Sequence, residues 1–174
     1  GSPIMADEQQ EVEDITSISQ ALVINIGTLN ERTVEAMIKA GKKANELGHP
    51  VVLDPVGAGA SQFRTETTFR LLKEVKLSVI RGNISEMKTV YSGTGTTKGV
   101  DADVSDKVTD ENLDDTISKL KSFSKATGSI IAVTGAIDLV CDSEKCYVIR
   151  NGRAEMSSIT GTGMPVIRFD DSVF

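Results

Sequence analysis

The sequence is poor in aromatic residues. Phe, Tyr and Trp together make up 4% of its 174 residues, and Trp is absent. Proteins that bind single-stranded nucleic acid usually stack bases on such side chains, so the composition disfavours that class. The net charge of −6 also argues against nucleic acid as the main partner.

Long apolar runs are lacking as well. The sequence contains no stretch of about 18 or more apolar residues, so we expect no transmembrane helix and no membrane partner. Residues 7–14 are acidic where a secretory signal would be basic, and we expect a cytoplasmic protein. With 39% hydrophobic and 25% charged residues, the composition favours a single globular domain over residues 1–174.

Cysteine and histidine are also scarce. The two cysteines, Cys141 and Cys146, flank the segment DSEK, and we expect reduced thiols on facing strands of a hairpin. Two cysteines cannot complete a zinc site, which takes four ligands, and a disulfide would require an oxidising compartment. The single histidine, His49, lies in LGHP between a predicted helix and a predicted strand, and we expect a loop residue without a catalytic role.

The apolar pattern predicts alternating strands and helices. Short runs rich in β-branched residues predict buried strands at 21–26, 51–54, 77–80 and 129–135. Amphipathic periodicity and capping residues predict helices at 8–18, between Asn30 and Gly48, at 62–75, at 83–91 and from Thr109 to Gly128. The remaining segments predict a surface loop at 92–108 and a hairpin at 138–152.

This order of elements predicts an α/β fold with a mostly parallel central sheet and helices on its faces. In such sheets, ligands bind beyond the carboxyl ends of the strands. The segments at these ends all carry polar or glycine residues: NIGT (25–28), DPVGAG (54–59), RGNISE (81–86), TGA (134–136) and TGTGM (160–164). Their convergence indicates a ligand site at one edge of the sheet.

Two carboxylates in these segments are candidate magnesium ligands. Asp54 ends a buried strand before a glycine turn, so it could hold a hydrated Mg²⁺ or cap the turn that follows. Glu86 lies three residues after Asn83, so it could complete the same metal site or cap its own helix. The spacing leaves both alternatives open for each residue.

Candidate anion-binding residues follow the other strands. Arg81 could pair with phosphate oxygens through its planar fork. Thr134 and Gly135 offer a hydroxyl and a backbone N–H to a nucleotide phosphate. Gly161 and Gly163 predict a turn whose N–H groups close on an anion. No GXGXXG motif follows the first strand, so a dinucleotide-binding oxidoreductase is disfavoured.

Together these segments resemble one family. ALVINIGTLNERTVEAMIKAGKKANELGHPVVLDPVGAGASQFRTETTFRLL, followed by IRGNISE, AVTG and TGTG, resembles hydroxyethylthiazole kinase, a ribokinase-like enzyme. The resemblance spans nearly the whole chain and implies a three-layer ribokinase-like fold. It implies that Mg-ATP phosphorylates the hydroxyethyl group of the thiazole alcohol 4-methyl-5-(2-hydroxyethyl)thiazole, in thiamin biosynthesis and salvage. It also implies a homotrimer with active sites at the subunit interfaces.

The resemblance implies roles for individual residues. Met5, in SPIM, matches a methionine that contacts the thiazole. Gly161 matches a substrate-contacting glycine that begins the anion-hole turn. The family's ATP-binding positions match Arg81 and Thr134. Its acidic positions near the magnesium ion and the phosphates match Asp54 and Glu86.

The chain departs from the family pattern at position 164. The family has GTGC, with the cysteine near the substrate hydroxyl, whereas Met164 carries a thioether that takes no proton. With Gly161 and Gly163, this position would form the catalytic turn. The family then continues into a helix whose N-terminus stabilises the transferring phosphoryl group, whereas PVIRFDDSVF (165–174) lacks a helical apolar period.

The family also has a strand and a helix before the segment that matches GSPIM (1–5). These departures predict a fold that is incomplete at both termini, and they leave two functional hypotheses. The first is a hydroxyethylthiazole kinase that uses ATP and Mg²⁺. The second is a catalytically impaired fragment that binds nucleotide or thiazole, or that serves only in assembly. We also expect a sheet face that lacks its cover and favours self-association, with partial exposure of Val23, Ile24, Val52, Ile80 and Ile131.

Overall fold

A computed structural model describes residues 2–94 and 107–150. The helices in these ranges are α1 (Val12–Ile18), α2 (Glu31–Leu47), α3 (Gln62–Glu74), α4 (Ile84–Ser92) and α5 (Leu113–Thr127). The strands are β1 (Leu22–Asn25), β2 (Val51–Asp54), β3 (Val79–Asn83), β4 (Ile130–Thr134), β5 (Asp138–Cys141) and β6 (Cys146–Ile149). This order confirms the predicted alternation. Of the helices described, none has the length and apolar character needed to cross a membrane.

The six strands form one sheet in chain order, from β1 at one side to β6 at the other. β1 to β4 run parallel, and β5 and β6 form the antiparallel hairpin, so the mostly parallel sheet is confirmed. Each parallel strand lies beside its predecessor. Because connections between parallel strands are right-handed, this order places the connecting helices on one face of the sheet. The carboxyl ends of β1 to β4 consequently meet at a single edge.

The main core lies between the sheet and this helical layer. Leu53, Ile80 and Ile131 of the middle strands are fully buried, and they pack in one cluster with Leu71 of α3 and Phe123 of α5. Burial of a large apolar side chain contributes about 1.5–3 kcal/mol. The described residues therefore supply two packed layers, the sheet and the helices on one of its faces.

The opposite face of the sheet is apolar and partly exposed. The strand register places Val23, Val52, Val79 and Ile130 in one row across β1 to β4 on this face. Val23 is 63% exposed and Ile130 is 38% exposed, whereas Val52 and Val79 are buried. β1 and β4 thus leave apolar surface accessible on the side away from the helices.

The expected exposure of the sheet was mostly wrong. Ile24, Ile80 and Ile131 point toward the helical layer and are buried, and Val52 is buried on the opposite face. Of the five residues named from the sequence, only Val23 is exposed. Successive residues of a strand point to opposite faces, and the continuous apolar runs of these strands did not show which residues face the helices.

Capping residues fix the ends of the longer helices. The side chain of Asn30 accepts a hydrogen bond from the Thr33 N–H, and the Thr33 hydroxyl accepts one from the Asn30 N–H, both at 3.0 Å. α2 and α5 end at Gly48 and Gly128, where φ is 71° and 70°. Glycine adopts this left-handed conformation without the steric cost of a Cβ atom, so the two predicted ends are confirmed.

Three predicted boundaries shift. α1 begins at Val12 because residues 8–11 form a turn, in which the Glu11 N–H donates to the Glu8 carbonyl. α5 begins at Leu113 rather than near Thr109, whose N–H donates to the Asn112 side chain in a turn before the helix. The third strand lies at 79–83 rather than 77–80, so it extends through the polar segment that was expected to follow it.

The two cysteines differ from the prediction of reduced thiols. Cys141 and Cys146 lie directly opposite each other in the β5–β6 hairpin, and a disulfide bond joins them. Facing residues of an antiparallel pair carry their side chains on the same face, which brings the two sulfur atoms together. The hairpin itself was predicted correctly, and the pairing is a consequence of its register.

An ion-pair network joins α2 to α3. Glu74 lies 2.8 Å from Lys42 and 2.8 Å from Arg70, and Arg70 also pairs with Glu35. The hydrogen bonds from Lys42 and Arg70 lower the pKa of Glu74 to about 2. Ionised Glu74 therefore stabilises the contact between the two helices.

We expect Glu74→Gln to reduce the free energy of unfolding near neutral pH. Because folding lowers the pKa of Glu74, its ionised carboxylate stabilises the folded state at pH values above the ordinary pKa of 4.5. This stabilisation is lost as the pH falls toward the folded-state pKa of about 2. The difference between the variant and the wild type should therefore shrink over that window, as measured by urea denaturation. Glu46→Gln is the control, because in residues 2–94 and 107–150 Glu46 forms an ion pair only with Lys43, on its own helix at 3.6 Å. A difference that does not change with pH would contradict the role of Glu74.

Candidate active site

Polar residues form a row across the carboxyl edge of the sheet. The register aligns Asn25 of β1 with Asp54 of β2, and Arg81 of β3 with Ala132 of β4. The β2–β3 register places Asp54 next to Arg81. All four side chains lie on the face opposite the helical layer, because they alternate with the residues of the main core. The structure thus brings together two of the residues predicted from the sequence.

Asp54 and Arg81 form a buried ion pair. Oδ2 of Asp54 lies 2.8 Å from Nη1 of Arg81, and the two side chains are 9% and 8% exposed. The Asn25 amide donates to the same carboxylate oxygen at 3.3 Å. Burial raises the pKa of Asp54, the charge of Arg81 opposes this, and the charge of Glu86 adds to it. Desolvation offsets much of the attraction within a buried pair, so stability alone does not explain its presence.

Arg81 retains unused hydrogen-bond donors. Its Nε and Nη2 atoms are buried and have no hydrogen-bond partner within residues 2–94 and 107–150. A buried donor without a partner costs about 1–3 kcal/mol, and folded proteins rarely leave one without a reason. The guanidinium fork suits an anion such as phosphate, which can accept two parallel hydrogen bonds. These two donors are the clearest indication of a ligand in the described part of the chain.

Glu86 holds the glycine turn that follows β2. Its Oε1 accepts from the Gly57 N–H, and its Oε2 accepts from the Asn83 N–H, both at 2.9 Å. Asn83 in turn caps α4 by accepting from the Glu86 N–H at 2.9 Å, so the capping-box interpretation is confirmed. A Cβ atom at Gly82 would lie 2.7 Å from Glu86 Oε2, so a glycine at this position leaves room for the carboxylate.

Asp54 and Glu86 could hold a magnesium ion only together with phosphate oxygens. Within the described ranges, no group of three or more His, Cys, Asp or Glu side chains could hold a metal ion by itself. Nucleotide-bound Mg²⁺ needs only one or two carboxylates, together with phosphate oxygens and water. Asp54 and Glu86 lie close enough at the sheet edge for the charge of Glu86 to raise the pKa of Asp54.

The remaining predicted residues fall in three places. Thr134 ends β4 opposite Asn83, so it shares a face of the sheet with Arg81. Met5 precedes α1 and is 95% exposed. The candidates near the C-terminus lie outside the described residues, as does the tail 165–174: Gly161, Gly163 and Met164.

Asn25 is a site residue to which the sequence reasoning gave no role. Its side chain accepts from the Gly27 N–H at 2.7 Å and donates to Asp54 at 3.3 Å. It therefore connects the loop after β1 to the carboxylate at the end of β2. Its position in NIGT, directly after a buried apolar run, was a usable signal, because polar side chains at strand ends face the ligand edge.

Arg64 is the second residue that was missed. It lies in the first turn of α3, and its guanidinium donates to the backbone carbonyls of Ile26, Gly27 and Val56. No local pattern indicates these contacts, because an arginine early in an amphipathic helix normally faces solvent. Only the packing of α3 beside both loops brings the side chain to them.

We expect Arg81→Met to lower the free energy of unfolding by about 3–5 kcal/mol at neutral pH, because Asp54 would be left buried without its cation. The pKa of Asp54 should rise further in this variant. A carboxyl group with a raised pKa favours the folded state at low pH, where it is protonated, and this contribution is lost as the pH rises through its pKa. Acidification should therefore restore part of the stability that the Arg81→Met variant loses at neutral pH.

Urea denaturation at about pH 5 and pH 7.5 measures this recovery. Arg32→Met is the matched control, because Arg32 is exposed and its ion-pair partner in the described part of the chain is Glu8. This substitution should change stability by less than about 0.5 kcal/mol. An equal loss at both pH values in the Arg81 variant would show that the two groups are not coupled.

Comparisons with known proteins agree on one family. A profile described as "Hydroxyethylthiazole kinase family" matches residues 1–166. The chain is 63% identical to a hydroxyethylthiazole kinase of Clostridium acetobutylicum over 162 residues, which are 93% of this chain and 59% of that protein. It is 56% identical to one of Alkaliphilus oremlandii over 164 residues, which are 94% of this chain and 58% of that protein.

A solved structure shares the fold. The structure of a hydroxyethylthiazole kinase protein from Pyrococcus horikoshii OT3 is similar with a TM-score of 0.79 and 34% identity, over 93% of this chain and 57% of that one. This likeness confirms the predicted ribokinase-like α/β class. The chain spans less than two thirds of the length of these relatives. On the profile match and these identities, the chain belongs to the hydroxyethylthiazole kinase family.

Proposed function

We propose that this chain transfers the terminal phosphoryl group of ATP to the hydroxyl of 4-methyl-5-(2-hydroxyethyl)thiazole, in thiamin biosynthesis and salvage. The observation that carries the proposal is the buried Arg81 at the sheet edge, with two donors that lack a partner among the described residues. Relatives that bear the name hydroxyethylthiazole kinase at 63% and 56% identity support it. An exclusively structural role would not favour a buried cation with unused donors.

Different residues of the sheet edge bind different parts of Mg-ATP in this proposal. Arg81 donates from Nε and Nη2 to phosphate oxygens, while Asp54 holds its Nη1 and fixes the plane of the fork. Thr134, on the same face of the sheet, offers its hydroxyl to the nucleotide. Asp54 and Glu86 would hold the Mg²⁺ ion, which would neutralise charge on the phosphates.

The thiazole side of the site is proposed from the family resemblance. By this resemblance, Met5 would contact the thiazole ring, and Gly161 and Gly163 would supply the backbone N–H groups for the transferring phosphoryl group. Phosphoryl transfer depends mainly on positioning and electrostatic stabilisation. Met164 accepts no proton from the alcohol, so we expect it to leave the reaction slower by about 10²–10⁴-fold than a proton acceptor at that position.

We expect ADP formation that depends on both the thiazole alcohol and Mg²⁺, measured by a coupled assay. Arg81→Gln should raise the KM for ATP by about tenfold or more, because charged hydrogen bonds to phosphate are lost. Met164→Cys, together with a helix appended after residue 174, should raise kcat.

Arg150→Gln serves as the control, because Arg150 is exposed and forms an ion pair with Asp110, which is not a residue of the proposed site. The proposal would be overturned if neither the chain nor the Met164→Cys version formed ADP in response to the thiazole alcohol. In that event, ADP binding that remains sensitive to Arg81→Gln would point to a scaffold that binds nucleotide without catalysis.

We further propose that the protein is cytoplasmic, where the Cys141–Cys146 disulfide would be kept reduced, and that it assembles as a homotrimer, as the resemblance implies. The partly exposed apolar face of the sheet supports self-association, because accessible apolar surface of this kind favours a partner. Four of its side chains are more than a third exposed: Val23, Ile130, Tyr147 and Ile149.

Size-exclusion chromatography with light scattering should show an oligomer of the chain at micromolar concentration. Ile130→Lys should shift the population toward monomer, since it places a charge on the apolar face without altering the core. Lys73→Ile, a substitution on the opposite side of the molecule in α3, is a control for changed surface hydrophobicity. A stable monomer at high concentration would argue against the assembly.

A further inference from the structure

We propose that Arg64 is a positioning residue of this site, which keeps the loops after β1 and β2 in the arrangement that Asp54 and Glu86 require. Its catalytic consequence rests on the proposed kinase function. Arg64 contacts neither of the two carboxylates directly. It acts through the backbone on either side of them, and its effect is therefore distinct from that of a ligand-binding arginine.

The start of α3 sets the direction of the Arg64 side chain. Ser61 caps the helix by accepting from the Arg64 N–H at 3.3 Å, which fixes Arg64 in the first turn. Side chains of a helix lean toward its N-terminus, and the N-terminus of α3 lies beside the carboxyl edge of the sheet because the helix follows β2 closely. The guanidinium is thereby directed to the strand ends rather than to solvent.

Three backbone carbonyl groups from two loops accept hydrogen bonds from the Arg64 guanidinium. Nη1 donates to Ile26 at 2.5 Å and to Val56 at 2.8 Å, and Nη2 donates to Gly27 at 2.8 Å. Ile26 and Gly27 follow β1, and Val56 follows β2. One rigid, planar group thus joins the loop after β1 to the loop after β2, which lies about thirty residues further along the chain.

The turn after β2 is held from both sides. Arg64 donates a hydrogen bond to the Val56 carbonyl, and Glu86 accepts one from the adjacent Gly57 N–H at 2.9 Å. Gly57 has a φ of 74°, and a Cβ atom there would lie 3.1 Å from the Arg64 Cδ atom. A glycine at this position therefore permits the turn and the passage of the arginine at the same time.

The loop after β1 connects Arg64 to Asp54 through hydrogen bonds. Arg64 fixes the Gly27 carbonyl, the Gly27 N–H donates to Asn25 at 2.7 Å, and Asn25 donates to Asp54 at 3.3 Å. Both carboxylates of the proposed magnesium site are therefore connected to Arg64 through short chains of hydrogen bonds. A displacement of either loop would move the groups that hold them.

The chemistry of the contacts requires arginine rather than any cation. Carbonyl groups accept all three hydrogen bonds, and within the described part of the chain no carboxylate forms an ion pair with Arg64. A lysine would keep the positive charge but could not reproduce the fixed, planar arrangement of two nitrogen atoms. The comparison of lysine with arginine at this position separates positioning from charge.

The experiment compares Arg64→Lys and Arg64→Gln with Arg70→Gln in the intact chain. Arg70 lies on the same helix, and its ion-pair partners among the described residues are Glu35 and Glu74, so its loss removes an arginine from α3 without affecting the two loops. The first readout is amide hydrogen exchange at Gly57 and Gly27, relative to the buried Leu71 of α3. Both Arg64 variants should speed exchange at the two glycines by about tenfold or more beyond the change at Leu71.

The second readout is steady-state kinetics. Both Arg64 variants should lower kcat by about 10–100-fold with a smaller change in the KM for ATP, since misplacement of catalytic groups slows the chemical step. Rescue of kcat and of glycine protection by Arg64→Lys would overturn the proposal in favour of charge alone. Unchanged protection of the glycines in Arg64→Gln would overturn it as well.

The two proposals fail in different ways. If the wild-type chain does not phosphorylate the thiazole alcohol, the proposed function fails, and the exchange rates at Gly57 and Gly27 still decide the role of Arg64. If the wild-type chain is active and the Arg64 variants are equally active per folded molecule, the positioning role fails and the kinase function stands.

Discussion

The right-handed connection between neighbouring parallel strands is the constraint on which the rest of the structure depends. Because β1 to β4 follow one another in space as they do in sequence, this handedness places the connecting helices on one face. The same constraint brings the carboxyl ends of four strands to one edge. The main core, the accessible apolar face and the polar site are therefore three consequences of a single rule of chain connection.

The buried polar residues at that edge contribute little to the free energy of unfolding, because desolvation opposes their attraction. Asp54 and Arg81 are buried together, and two donors of the arginine have no partner in the described ranges. An apolar pair of similar volume would often be equally stable at these positions or more so. A bound anion would explain the arrangement, because phosphate oxygens would accept hydrogen bonds from the two unpaired donors of Arg81. Ligand binding and local stability are thus linked at the same two residues.

Local sequence signals predicted much of the fold because they report on interactions between near neighbours. The caps at Asn30 and Asn83 and the glycine at Gly48 act within one helical turn, and the structure confirms all three. Signals that depend on distant contacts were less reliable. Ile80 was expected to be partly exposed and is buried, because a continuous apolar run does not indicate which face the helices cover. The disulfide between Cys141 and Cys146 depends on hairpin register, and a count of cysteines alone does not indicate it.

The sequence by itself determined the strand–helix alternation, the edge where polar residues converge and the identity of Asp54, Arg81 and Glu86 as candidates. These follow from periodicity, capping and composition, which are local. Only the tertiary structure decided how the candidates are used. It showed that Glu86 both caps its helix and holds the glycine turn, and that Arg64 reaches back to two loops. Such contacts depend on the relative placement of separate elements, and the packing of helices on the sheet fixes that placement through interactions that no short segment contains.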